Sequence, residues 1–321
     1  MKKILVFAQS TETTWSKATL GLLTLASTIG EVSVGLSEVI TDELLNGLAE
    51  HGASTIYVNV NEKLSVHGTA AKADFLAQLI TLVGPDALLL ETSADNKEIS
   101  GRIAVLSDGG VLTDISALVV DESGRLIATQ EIFGGSTTVT SWVTQGPAIL
   151  TVRPNNLSVQ TNAKDFTLVE VFADLADSTQ ALTVVPGPRV EMNSRPKLTE
   201  AKIIVGAGRG VGNQENFENI VERLADTLGA AVGASRAAID AEWCPSNLLV
   251  GQSGTTVSPE LYIALGISGA IHHRAGMQGA RCIVAIDVDE NAPMLHNADL
   301  GIVGDIGEIV PKLIEMLNNR K

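Results

Sequence analysis

Residues 266–276 read GISGAIHHRAG, a serine bracketed by glycines with two adjacent histidines close behind. The chain has five histidines in all, so a neighbouring pair asks for a reason. Glycines let a backbone approach an anion closely, a serine adds a hydroxyl donor, and a helix start presents unpaired amides with a partial positive charge. A phosphate cradle, a metal site, a catalytic pair and a plain strand-to-helix corner all use these residue types. A metal held by His272 and His273 together is disfavoured, because adjacent side chains on a helix diverge by about 100°. A second glycine loop, GAGRGVG at 206–212, misses the dinucleotide fingerprint: the third position after Gly208 is Val211, and there is no P-loop lysine. Taken alone, that loop favours a tight turn packing a strand against a helix. No Ser-His-Asp order and no activated cysteine stands out, so these residues offer binding and charge rather than acid–base machinery.

The elements around these loops alternate in type. In the N-terminal half, short β-branched runs at 4–8, 32–36, 56–60 and 87–90 are separated by helical spacing at 17–28, 42–51 and 71–83, with Thr41 or Asp42 as an N-cap. That alternation predicts a parallel sheet covered on both faces. From about 110 to 171 the texture turns strand-like, at 126–133, 137–143 and 148–152, while 91–98 reads as a solvated loop. A breaker-rich stretch at 185–196 predicts a linker. Beyond it, strands are expected at 201–205, 248–250, 261–265, 282–286 and 300–303, with helices at 216–228 and 309–318.

Composition narrows the function classes. The 321 residues suffice for two domains, and with 45% hydrophobic but only 3% aromatic residues the core must be aliphatic. A net charge of −15 argues against nucleic acid or an anionic membrane as partner. No apolar run approaches the ~20 residues of a membrane span, and the opening residues 1–8 read as a buried strand rather than a targeting segment. Cys244 and Cys282 are too few for a disulfide framework, which implies a reduced, cytoplasmic setting.

Longer stretches carry a resemblance. RPKLTEAKIIVGAGRGVGNQENF (195–217), GASRAAID (233–240), VGQSGTTVSPELYIALGISGAIHHRAG (250–276) and CIVAIDVDENAPMLHNADLGIVGD (282–305) together resemble the C-terminal domain of the electron transfer flavoprotein alpha subunit family. NKEISGRIA (96–104), IFGGS (132–136) and TVRPN (151–155) look like that family's first domain. The resemblance implies an α/β protein of two domains, each with a mainly parallel sheet flanked by helices. Residues 1–190 would form the N-terminal α/β domain with a β-rich, partner-contacting extension, and 191–321 a Rossmann-like FAD-binding domain. It implies FAD as cofactor, a heterodimer with a beta subunit, and AMP in that partner subunit. It also implies an electron carrier rather than a substrate-converting enzyme. Electrons would come from flavin-dependent dehydrogenases and pass to a downstream quinone-linked oxidoreductase through an anionic flavin semiquinone. The family's FAD contacts fall on Arg209, Ser235, Arg236, Val250, Gly251, Gln252, Ser253, Ser268, Gly269, Ala270, Ile271, His272, His273, Asp287, Asp305 and Ile306, with Arg236, Ser253 and His273 as flavin-tuning residues.

These roles make physical sense. A histidine donor or imidazolium at His273 would stabilise negative charge gathered at the pyrimidine end of a flavin, and the Arg236 guanidinium is a permanent cation. One charge at ~4 Å in an effective dielectric of ~20 is worth roughly 4 kcal/mol, an upper bound of roughly 100–200 mV for a one-electron couple. Ser253 stands where the family commonly has a threonine. Thr255 replaces a usual lysine, His272 a usual glutamine and Asp287 a usual asparagine, so a charged His272 could offset Asp287 and a pyrophosphate. The competing readings are a redox-inactive paralogue acting as an FAD- or ADP-binding module, and a flavoenzyme with its own substrate. Arg236 and His273 favour the carrier, since a mere binder needs no tuned charge.

Overall fold

The computed structural model describes residues 1–9, 14–132, 137–153, 157–185, 195–199 and 201–319. Most of the expected linker, most of the IFGGS motif and part of TVRPN lie outside the described residues. The chain divides into two compact units, Met1–Glu131 with Thr138–Pro188, and Ile132–Thr137 with Arg189–Lys321.

The first unit is built on strands β1 (Lys2–Ala8), β2 (Gly30–Leu36), β3 (Ala53–Asn59), β4 (Ala87–Glu91), β5 (Gly110–Val120), β6 (Leu126–Ile132), β7 (Thr137–Ser141), β8 (Ala148–Val152) and β9 (Thr167–Val171). They form one sheet in the order β7-β6-β5-β8-β4-β1-β2-β3-β9. The β5–β6 pair is antiparallel, while β1–β2, β1–β4, β2–β3, β3–β9, β4–β8 and β5–β8 are parallel. Period-two alternation along β1 explains the layers. Ile4, Val6 and Ala8 pack with Leu22, Leu23 and Leu48 on one face, and Leu5 and Phe7 with Leu76, Leu79 and Ile99 on the other. The helices start on hydroxyl caps: Ser16 accepts from the Thr19 amide, Thr41 from Leu44 and Ser93 from Asn96. The last of these corrects the loop expected at 91–98, where Ser93 instead opens the helix Ala94–Ser107.

The second unit holds β10 (Ile203–Ala207), β11 (Ala231–Ala234), β12 (Leu261–Leu265), β13 (Ile283–Asp287) and β14 (Leu300–Val303), parallel throughout in the order β11-β10-β12-β13-β14. Between β10 and β11 the chain coils continuously from Gln214 to Leu228, with a π-helical stretch Phe217–Glu222, an Asn213 cap and left-handed Gly229 at its end. One expected strand is absent from its place. Residues 246–248 form a short 3₁₀ turn, and Leu249 and Val250 make only single bridges, to Ala234 and Thr255. Pro245 and Gly251 (φ 146°) bracket a run too short to extend a sheet.

Candidate functional site

Four strands of the second sheet end together. Beyond Ala207, Ala234, Leu265 and Asp287 the chain enters loops on the same carboxyl edge. From β10 the chain runs outward to β11 and then returns to β12 on the other side of β10. Loops leaving β10 and β12 therefore diverge, and a crevice opens at this switch point. It is a cavity of about 610 Å³ whose wall includes Gly208, Ser235, Arg236, Val250, Ser268, His273 and Asp287.

The glycines in the two loops serve each other first. The Gly208 amide donates to the Leu265 carbonyl at 2.8 Å and the Gly210 amide to the Gly266 carbonyl at 3.0 Å. A Cβ on Gly208 would stand 2.0 Å from the Gly266 oxygen, and Gly266 itself sits at φ +59°. The 206–212 loop is thus glycine-rich because two backbones touch, and its Gly208 and Gly210 amides are already engaged. A comparable contact holds the opposite wall: a Cβ on Gly276 would meet the Gly251 amide at 2.3 Å, and the Gln252 amide donates to the His272 carbonyl at 2.8 Å. This pins the helix Ile271–Met277 against the 250–253 turn. Among the described residues, the amides of Gly269, Ala270, Ile271 and His272 donate no hydrogen bond, which leaves them available to an anion.

The side chains divide between cations, anions and unpaired polar atoms. Arg236 donates from Nη2 to Ser253 Oγ at 3.0 Å, with Asp240 3.9 Å away on the same helical face. His272 Nδ1 lies 2.8 Å from Gln252 Oε1. Asp287, nearly buried, accepts from the Asp289 amide at 3.0 Å. Two buried atoms in the cavity-lining residues have no partner among the described residues, Ser235 Oγ and His273 Nδ1. Native proteins rarely leave such groups unpaired, so a ligand or ordered water in the cavity is expected to complete them. His273 reaches Tyr262 through Nε2 at 3.0 Å. Burial pushes the His273 pKa down to about 4, with the Val250 backbone pulling weakly the other way. Of the two forms expected at this position, donor or imidazolium, burial favours the neutral ring at neutral pH, since a charged ring would lose its hydration here. Burial also pushes the Cys244 thiol up to about 11, with Glu222 adding to the effect, so it offers no nucleophile.

Of the expected contacts, Arg209, Ser235, Arg236, Val250, Gly251, Ser253, Ser268, Ala270, His272, His273 and Asp287 line this cavity. Gln252, Gly269, Ile271, Asp305 and Ile306 do not form its wall. Gln252 stands behind it, holding His272. Gly269, at φ +86°, is pressed against the Met294 backbone, and Ile271 is exposed at the helix start. The Asp305 carboxylate caps the helix Ile306–Asn318 by accepting from the Gly307 amide at 2.7 Å, and Ile306 is core. Tyr262 and Asp240 belong to the site without having been singled out. Spacing could have found Asp240, four residues after Arg236 on a helix, whereas Tyr262 looks like any apolar strand residue. The donor set fits a dinucleotide with a flavin: unpaired amides, one fixed cation held on a hydroxyl, and a neutral histidine behind them.

Comparison with known proteins agrees with this geometry. Residues 197–278 match the model of the electron transfer flavoprotein FAD-binding domain, and residues 4–186 that of the electron transfer flavoprotein domain. The chain is 40% identical to the electron transfer flavoprotein subunit alpha of Mycobacterium leprae, with all of both chains covered. It is 37% identical to that of Clostridium acetobutylicum, covering 98% of this chain and 96% of the relative. It is also 37% identical to the protein FixB of Azotobacter vinelandii, over 87% of this chain and 78% of the relative. The chain belongs to the electron transfer flavoprotein alpha subunit family.

Proposed function

We propose that the crevice at the carboxyl edge of the second sheet holds FAD, and that the chain carries electrons as a heterodimer with a beta subunit. FAD, when bound, supplies the ring that accepts and releases electrons. This chain supplies the setting. The amides of residues 269–272 and the Ser235 and Ser268 hydroxyls offer donors to a pyrophosphate, Arg209 adds positive charge, and Asp287 suits a ribose or ribityl hydroxyl. Arg236, Ser253 and His273 act on the ring. Arg236 and Ser253 form one unit, because the hydroxyl that accepts from the guanidinium keeps its own proton to donate. Asp305 and Ile306 lie outside the cavity wall, so their proposed part in holding FAD is confined to the backbone, the carboxylate being engaged in capping. The observation that carries this reading is the coincidence of Arg236, held on Ser253, with two buried unpaired polar atoms around one cavity.

The reading extends to partners. The first unit serves subunit contact, and the beta subunit holds AMP. Flavin-dependent dehydrogenases donate electrons and a quinone-linked oxidoreductase receives them. The net charge of −15 supports electrostatic docking on basic patches, so association should slow as salt is added. The two unpaired cysteines support a reducing, cytoplasmic setting.

Co-expression with a beta-type subunit, followed by absorption spectroscopy and photoreduction, tests the proposal. A yellow heterodimer with one FAD is expected, with Arg236→Ala retaining flavin but shifting its potential downward. A colourless heterodimer, or a potential that Arg236→Ala leaves unmoved, would overturn it.

A further inference from the structure

Tyr262, the second residue of β12, is fully buried and points its hydroxyl at His273 Nε2, 3.0 Å away. The rings meet edge-on, with centroids 6.1 Å apart and planes at 63°. A buried phenol keeps its proton, and burial here pushes the pKa upward. That proton needs an acceptor, and among the described residues Nε2 is the one partner the hydroxyl has. Nε2 must then be the bare nitrogen. In a neutral imidazole the proton consequently sits on Nδ1, which makes no regular hydrogen bond among the described residues, although the ring also feels the Val250 backbone.

Space for the hydroxyl is set by a neighbouring strand. A Cβ on Gly206, in β10, would stand 2.3 Å from the Tyr262 oxygen and 2.7 Å from Cζ. The first glycine of the 206–212 loop therefore has a steric task different from those of Gly208 and Gly210. It leaves room for a phenol beneath the cavity, while they let two loops touch.

We propose that Tyr262 is a positioning residue: by donating its hydroxyl proton to Nε2 it fixes His273 as the Nδ1–H tautomer, and Gly206 reserves the place where it does so. The ring then presents one donor, at Nδ1, to an acceptor in the cavity. In the reading above, on which this rests, that acceptor is a flavin carbonyl. The phenol tunes the site without touching the cofactor, because it decides which nitrogen carries the proton.

The tautomer is read directly by ¹⁵N NMR of the histidine-labelled full chain without flavin, which separates this inference from the cofactor assignment. In the wild type, His273 should show a protonated Nδ1 and a bare Nε2; the opposite pattern overturns the proposal even if FAD binds. If the chain binds no FAD but shows the expected pattern, the cofactor reading fails and the Tyr262–His273 coupling stands. Tyr262→Phe should abolish the tautomer preference, and so should Gly206→Ala. In the heterodimer, Tyr262→Phe should weaken FAD binding about threefold to tenfold and shift its reduction potential. In a His273→Ala background the same substitution should change affinity by less than about twofold, because the coupled partner is gone. An equal loss in both backgrounds would reduce Tyr262 to a packing residue.

Discussion

Both units place buried polar side chains at the carboxyl ends of parallel strands, yet they treat them in opposite ways. In the first unit, Asn59 and Asn61 close on themselves. Asn59 Nδ2 donates to the Ser37 and Asn61 carbonyls, its Oδ1 accepts from the Asn61 and Ala173 amides, and Asn61 Nδ2 donates to the Ala173 carbonyl at 2.7 Å. In the second unit, Ser235 Oγ and His273 Nδ1 are equally buried and have no partner among the described residues. Closure makes the first network a clamp between β3 and the chain after β9. The open valences of the second are an unfinished hydrogen-bond set, which a ligand can complete. An unpaired atom alone does not define a site. Ser27 Oγ and Asn96 Oδ1 in the first unit are unpaired as well, but neither residue lines a cavity comparable to the one around His273.

The contrast breaks most sharply at Asn59. Asn59→Ala leaves three backbone groups without partners, the Ser37 carbonyl and the Asn61 and Ala173 amides, and should destabilise the chain by about 3 kcal/mol in urea unfolding. FAD affinity per folded molecule should stay unchanged; a parallel loss of affinity would mean the two edges are not independent.

His273 provides the next test, through pH. Burial pushes its pKa down to about 4 in the folded chain, against about 6.5 in an unfolded one. Between those values the unfolded chain binds a proton that the folded chain refuses. Stability is therefore full above about 6.5 and falls as pH drops through this window, by about 3 kcal/mol in total. His273→Asn should remove that acid limb from a series of denaturant curves, and an unchanged limb would assign it to other groups.

Smaller effects separate tuning from binding. The Arg236 side chain is 58% exposed, so water screens much of its field. Arg236→Ala should lower the flavin potential by about 40–90 mV, corresponding to ~1–2 kcal/mol and below the bound that full burial would allow. Potentiometry with a redox dye measures this, and a rise in potential would contradict the assigned role. Ser235→Ala should weaken FAD binding about tenfold while leaving stability unchanged or raised by up to ~1 kcal/mol, since it deletes an unpaired buried hydroxyl. A loss of stability would show that Ser235 is satisfied after all and belongs with the clamp.

Much of this organisation was legible in residue order. The alternation of β-branched runs with helical spacing located β1 to β4, because period two and period 3.6 leave different marks on one-dimensional sequence. The glycine–serine turn before His273 announced a helix start at a strand end. What stayed hidden was contact between segments distant in sequence. Nothing local says that Gly208 is glycine because of Gly266, or Gly206 because of Tyr262; both needs arise across strands. The neutrality of His273 was hidden for the same reason, since burial is a property of the packed layers. Residues 248–250 misled because three apolar residues look extended whether or not a sheet edge receives them.

The strand order also carries a consequence for how the chain reaches its fold. In the first sheet β3 waits for β9, so that Thr55 pairs with Thr167, whereas the second sheet needs nothing wider than Ile203 with Leu261. Loop-closure entropy makes distant pairings late ones. Until residues 167–171 leave the ribosome, β3 is an open strand edge, able to template association with another chain. A chain stopped just before Thr167 is therefore expected to scatter light on mild heating well before one stopped after Thr179. Equal clarity of the two would show that β9 guards no edge. Seen this way, β9 is the last stitch of the first unit, and its timing during synthesis decides whether that unit stays single.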